Sequence, residues 1–226
     1  MAKDPARIAA IFDMDDTLLA GSSGRILFVW LRAKGMLNRH FRRRDIPQVI
    51  LAALLYKLHL LDPTWLLLRM GRSAAGANAE EMWAISRRWF DSMIAPAIRR
   101  DGADRVAWHL AEGHVPVICS GSSQFAVELM AEKLGISESV CTEWLIEDGV
   151  LTGELRRPLV YAQGKVYWME RWAARAQVDL DHSYFYTDHI SDRPLLERVA
   201  QPVAVNPDPK LARLARQRGW EIATWH

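Results

Sequence analysis

Residues 7–17 read RIAAIFDMDDT, an unbroken apolar run from Ile8 to Phe12 that stops on a carboxylate at Asp13. A strand with one face in water alternates apolar and polar residues, whereas a parallel strand covered on both faces is apolar throughout. The stretch therefore predicts a buried parallel strand, which requires further strands of the same kind and helices to connect them. Working outward supplies both. VPVICSG (115–121), SYFYTDH (183–189) and PVAVNP (202–207) are short apolar runs ending in small or polar residues. FAVELMAEKLG (125–135) has helical spacing and stops on Gly135, and PKLARLARQRGW (209–220) opens on Pro209 and stops on Gly219. Strand and helix in alternation give an α/β class with a parallel sheet.

The chain between the first two of these strands is too long for a plain crossover. Residues 23–34 stop at Gly35, 46–60 are nearly apolar all round, Asp62-Pro63 opens a segment ending at Gly71, and Asn78 with Glu81 makes a capping pair for a helix to about Met93. We read residues 21–95 as a helical insertion in a domain made of 1–20 and 96–226. It hangs over the carboxyl ends of the strands, where open α/β sheets bind ligands, and could serve as a lid. Within 140–157, Asp148-Gly149 and Gly153 among alternating residues predict a small hairpin.

The 226 residues are 50% hydrophobic and carry 29 basic against 27 acidic side chains, a net charge of +2. That is a globular composition, and the near balance gives no reason to expect nucleic acid as a partner. Two cysteines, Cys119 and Cys141, make neither a disulfide framework nor a zinc cluster, so a reducing cytoplasm is expected. No signal peptide is read at the N-terminus, and the longest apolar run, Val49 to Tyr56, falls short of the ~20 residues that span a bilayer.

Chemistry concentrates at the strand ends. Asp13 and Asp15 follow the first strand, so a fixed backbone can aim two carboxylates at one point, one to attack as a nucleophile and one to trade protons. Taken alone, DMDDT could also be a solvated acidic turn. Ser120-Gly121-Ser122-Ser123 runs from the second strand into a helix, which suits an anion and is equally an ordinary helix cap. Asp188 and Asp192 end the third strand. Four carboxylates, Asp13, Asp15, Asp188 and Asp192, would repel one another unless a cation sits among them, and an all-oxygen site beside a phosphate suits magnesium. Phosphoryl transfer also needs a protein cation, for which Lys165 is the candidate.

DMDDT at 13–17, Ser120 after an apolar run, Gly164-Lys165, and Asp188 with Asp192 before Arg193-Pro194-Leu195-Leu196 together resemble the haloacid dehalogenase superfamily, in its phosphoserine phosphatase-like branch. The pieces span nearly the whole chain in the family's order. The resemblance implies a Rossmann-like core with an inserted helical cap and a magnesium-dependent phosphatase acting on a small phosphate ester through an aspartyl-phosphate. It implies Asp13 as nucleophile and Asp15 as acid and base. Asp13, the Asp15 carbonyl and Asp188 would hold Mg²⁺; Ser120, the Gly121 amide and Lys165 would grip phosphate; Thr17 and Asp192 would support them. Asp16 is left without a part.

Two departures stand out. The branch commonly has Gly-Asp-Ser where this chain has Thr187-Asp188-His189, and phosphoserine phosphatases carry a glutamate where this chain has Ala20-Gly21-Ser22-Ser23. Phosphoserine is therefore not the expected preferred substrate, and Ser22, Ser23 and His189 are candidates for substrate choice. Thr187 and His189 also leave open a catalytically silent binding or regulatory protein. A basic cluster, Arg39 to Arg44, precedes the apolar Ile46–Met70 stretch, and Trp30, Trp65, Trp83 and Trp89 lie in the same insertion. This raises a second alternative, phosphoryl transfer on a lipid or membrane-associated phosphate; the favoured reading is a helical bundle that buries the tryptophans against itself and the sheet. In the last helix, Lys210, Arg213, Arg216 and Arg218 are expected to face solvent.

Overall fold

The computed structural model describes residues 7–35 and 63–226. The opening run forms β1 (Ala9–Phe12) in the interior of a six-stranded sheet. Ala9 and Ile11 face one hydrophobic cluster and Ala10 and Phe12 the other, all four fully buried, which is why the run shows no polar alternation. The remaining strands are β2 (Val115–Ser123), β3 (Glu138–Thr142), β4 (Trp144–Glu147), β5 (Val150–Leu155), β6 (Tyr184–Thr187), β7 (Gln201–Val205) and β8 (Glu221–Ala223). The main sheet has the order β3-β2-β1-β6-β7-β8 with every pair parallel. From β1 the chain builds outward through β2 and β3, then crosses back to add β6 on the other side. The order reverses beside β1, and the carboxyl ends of β1, β2 and β6 open at that switch point.

The helices are α1 (Ser23–Ala33), α2 (Pro63–Ser73), α3 (Ala79–Trp89), α4 (Arg100–Ala111), α5 (Gln124–Leu134), α6 (Gln163–Ala176), α7 (Arg193–Leu196) and α8 (Pro209–Arg218). Residues of α4 and α5 join Phe12, Ile118 and Tyr186 on one face of the sheet, while α6, α7 and α8 join Ile11, Val117 and Phe185 on the other. Burying each large apolar side chain of this kind contributes about 1.5–3 kcal/mol. Phe12 also stacks on Tyr186 with ring centroids 4.7 Å apart and planes 8° from parallel.

Asn78 caps α3 by accepting from the Glu81 N–H at 2.9 Å, and the helix runs on through a wider turn over Phe90–Ile94. Trp30 and Trp89 are buried, and Trp83 packs edge-on against Phe125 with centroids 4.7 Å apart. The cluster at 39–44, the apolar stretch 46–60 and the Trp65 side chain lie outside the described residues. Lys210, Arg213, Arg216 and Arg218 are exposed on α8, while Leu211 is buried beneath it. No described helix is long and apolar enough to cross a membrane.

The hairpin is smaller than the sequence suggests. Val140–Thr142 belongs to β3, a half-buried edge strand without a continuous apolar run, and the hairpin itself is β4–β5. It turns at Asp148 and Gly149, both at positive φ. It is bonded to the chain between α2 and α3: Gly76 N–H donates to the Leu151 carbonyl at 2.8 Å, Leu151 N–H to Ala77 at 2.9 Å and Ala79 N–H to Gly149 at 2.9 Å. Between the chain after β1 and the chain before α4, Ala20 N–H donates to Ala97 and Arg99 N–H to Leu18, both at 2.8 Å.

Candidate active site

Asp13 leaves β1 with its N–H bonded to the Tyr186 carbonyl of β6 at 2.9 Å, so the sheet itself fixes where its side chain begins. The Lys165 ammonium donates to Asp13 Oδ1 at 2.7 Å and to Asp192 Oδ2 at 2.6 Å, and all three side chains are buried. Lys165 reaches this point because α6 starts unusually close to the preceding loop. A Cβ on Gly164 would lie 1.8 Å from the Leu159 carbonyl oxygen, so only glycine lets the first turn of α6 sit there. Gly121 lies against the same loop, where a Cβ would be 3.2 Å from the Val160 carbonyl. Ser120 is buried at the end of β2, its hydroxyl accepting from the Ser122 N–H at 3.2 Å.

The third strand end is more tightly braced than its sequence suggests. Thr187 donates its hydroxyl to Asp192 Oδ2 at 2.7 Å, so the residue that replaces the usual glycine holds the partner of Lys165. Thr17, fully buried, donates to Asp188 Oδ1 at 3.2 Å and ties the first loop to this one. His189 Nδ1 accepts from the Ser191 N–H at 3.2 Å and lies 2.9 Å from its hydroxyl, so this nitrogen caps its own turn. Ser22 makes no side-chain cap bond at the start of α1. Asp16 adopts φ 55° in the turn after Asp15, a left-handed conformation that gives it a backbone role.

The four carboxylates expected near one cation have different partners. Asp192 is neutralised by Lys165 instead, and Asp15 is turned toward Ser23 and Ser122. Among the described residues, no three His, Cys, Asp or Glu side chains form a metal-holding group. Two side chains and a carbonyl suffice for Mg²⁺, which keeps several waters. Asp13 and Asp188 lie close enough for the charge of Asp13 to act on the Asp188 carboxyl. Burial, then the charges of Asp13, Asp16 and Asp192, push Asp188 up to about 8. Burial pushes Asp13 up to about 7, against the pull of Lys165, with Asp192 and Asp15 adding to the rise. Burial opposes charge on Lys165 as well, yet Asp13 and Asp192 hold it above the ordinary lysine range. Asp192 Oδ1 is buried without a hydrogen-bond partner. Excess negative charge presented by oxygen donors alone fits a hard divalent cation.

Asp208 is a positioning group that the sequence reading passes over. Asp208 caps α8 through Lys210 N–H at 2.7 Å and Leu211 N–H at 3.1 Å. Its other oxygen accepts from Ile190 N–H at 2.6 Å, and its own N–H donates to the Asp188 carbonyl at 2.8 Å, fixing the Asp188 loop. Its signal was the Asp208-Pro209 pair, an N-cap residue before a first-turn proline.

The chain is similar to known proteins over most of its length. Residues 10–197 match the haloacid dehalogenase-like hydrolase family. The chain belongs to that family. A probable phosphatase of Mycobacterium tuberculosis is 30% identical over 97% of this chain and 76% of its own length. A phosphoserine phosphatase of the same organism is 30% identical over 95% of this chain and 70% of its own. The crystal structure of a Bordetella pertussis protein of unknown function superposes with a TM-score of 0.86 at 28% identity, over 97% of this chain and 99% of that one.

Proposed function

We propose that this hydrolase is a phosphomonoesterase that forms an aspartyl-phosphate on Asp13, with Mg²⁺ as cofactor. The observation that carries the reading is the buried Lys165 ammonium 2.7 Å from Asp13 at the carboxyl end of β1, a nucleophile and a cation for the phosphoryl oxygens held side by side. Asp13 Oδ attacks phosphorus as the bond to the ester oxygen breaks, and that oxygen takes its proton from Asp15. Water then gives a proton to Asp15 as its oxygen bonds to phosphorus and the bond to Asp13 breaks. Ser120, the Gly121 N–H and Lys165 bind the phosphoryl oxygens, which carry the developing charge. Asp13, Asp188 and the Asp15 carbonyl would hold magnesium, which supplies charge neutralisation when bound. Thr17 orients Asp188, and Thr187 orients Asp192. That bond gives Thr187 a use in an active enzyme and removes a motive for the silent reading.

Residues 21–95 act as the cap that excludes water and selects the small phosphate ester. With Ser22 and Ser23 where a carboxylate would receive the substrate amine, phosphoserine is not the preferred substrate, although one relative bears that name. Free Cys119 and Cys141 suit a reducing cytoplasm. The test is hydrolysis of p-nitrophenyl phosphate with Mg²⁺ and with EDTA, by wild type and Asp13→Asn, with hydroxylamine trapping of the acyl phosphate. Turnover that needs magnesium and Asp13, together with a trapped adduct, is expected. Activity surviving in Asp13→Asn overturns the nucleophile assignment, and phosphoserine outcompeting other monoesters overturns the substrate assignment.

A further inference from the structure

Asp15 is held unlike the other carboxylates of the site. Its Oδ1 accepts from the Ser23 N–H at 2.9 Å, and its Oδ2 accepts from the hydroxyls of Ser23 at 3.0 Å and Ser122 at 2.9 Å. The two hydroxyls are themselves 2.9 Å apart. Ser23 begins α1 and Ser122 is the last residue but one of β2, so the three side chains join α1 to the main sheet across the carboxyl group. Among the described residues, Ser122 Oγ has no other partner than Asp15 and Ser23.

A group that gives a proton in one half-reaction and takes one in the next must keep its place in both forms. A backbone N–H can only donate, but a hydroxyl offers one donor hydrogen and two acceptor lone pairs and turns at little cost. While the carboxylate is ionised, both serine hydroxyls point at Oδ2. When the carboxyl carries the proton for the ester oxygen, a hydroxyl that no longer donates to Oδ2 can turn to the other serine 2.9 Å away, while the Ser23 N–H keeps Oδ1 in place.

We propose that Ser122, together with Ser23, is a positioning residue for proton transfer by Asp15, holding that carboxyl in one orientation through both halves of the reaction. The proposal rests on the phosphomonoesterase reading and adds two residues to it. Proton donation matters most when the leaving group is poor, so the ester can be varied at almost constant shape. Phenyl phosphate leaves as a much more basic oxyanion than p-nitrophenyl phosphate and depends more on the acid.

For Ser122→Ala, kcat/KM for phenyl phosphate is expected to fall about tenfold, a fraction of the ~10²–10⁴ that general acid catalysis supplies, and for p-nitrophenyl phosphate by less than about twofold. Ser23→Ala should show the same split, and Ser122→Thr, which keeps the hydroxyl, should recover most of the loss. Equal losses on both esters, or no loss on phenyl phosphate, in either alanine variant overturn the proposal. Asp15→Asn separates the two levels of argument. A leaving-group split in Asp15→Asn that Ser122→Ala lacks sinks the positioning role alone; no split in Asp15→Asn, with Asp13→Asn still active, sinks the underlying reading.

Discussion

Lys165 is the residue on which the site's electrostatics turn. Its ammonium is shared by Asp13 and Asp192 in a buried triad, and burying charge is tolerable only while each ion keeps its partners. Lys165→Met would leave two carboxylates buried and adjacent. Urea unfolding is expected to show a loss of about 3–5 kcal/mol, the range found when one partner of a buried pair is removed. Phosphatase activity should fall by about 10³-fold or more, since charge on the transferring group loses its fixed cation. Lys165→Arg should recover much of the stability and little of the activity, because a planar fork cannot reproduce a point charge set 2.7 and 2.6 Å from two oxygens. Full activity in Lys165→Arg would mean that only the charge matters there. At this scale the sequence was partly legible. Asp13, Asp188 and Asp192 stood out by type and by position at strand ends and Lys165 by its place in the family's order of parts, but the use of Thr187 was not legible, because it lies in a hydroxyl aimed at Asp192 across a turn.

Elements explain why those residues meet. The alternation of β1 between two cores was readable because a doubly covered strand has to be apolar throughout. The edge strands β3 and β8 and the helix α4 were not read. An edge strand such as Glu138–Thr142 is half-buried and mixed in composition, and pairing with β2 rather than local pattern makes it a strand. For the same reason the Ser23–Asp15–Ser122 contact was invisible, since it joins elements 99 residues apart. The Gly164-Lys165 pair, by contrast, carries a purely geometric message. Adding one methyl group at Gly164 meets a backbone carbonyl, which cannot rotate away as a side chain could. Gly164→Ala is therefore expected to push the first turn of α6 outward, lowering stability by about 1–3 kcal/mol as overpacking does and withdrawing Lys165 from Asp13. The check is a paired measurement of thermal unfolding and kcat on p-nitrophenyl phosphate. Unchanged kcat would show that α6 does not depend on this close approach to place its lysine.

For the molecule as a whole, the crowded carboxylates would make stability and the proposed metal binding one equilibrium. Asp188 moves from an ordinary value of 3.8 to about 8 on folding, chiefly through burial and then through its acidic neighbours. A carboxyl with a raised pKa binds its proton more tightly in the folded state. Its contribution is thus fully present below about pH 4 and is lost as pH rises through about 8. Asp188→Asn removes that penalty while keeping an oxygen to accept from Thr17. In EDTA the variant should gain on the wild type from pH 4 toward pH 8 and melt several degrees higher at the upper end, at about 2–4 °C per kcal/mol for a chain of this size. Magnesium should reverse the order. A ligand bound only by the folded state stabilises it by about 2.7 kcal/mol at a hundred times its Kd, so the wild type should gain Tm with Mg²⁺ while Asp188→Asn gains little. Equal magnesium stabilisation of the two proteins would place the cation away from Asp188. A variant no more stable than wild type at pH 8 without metal would show that burial and its acidic neighbours do not disfavour the charge of this carboxylate.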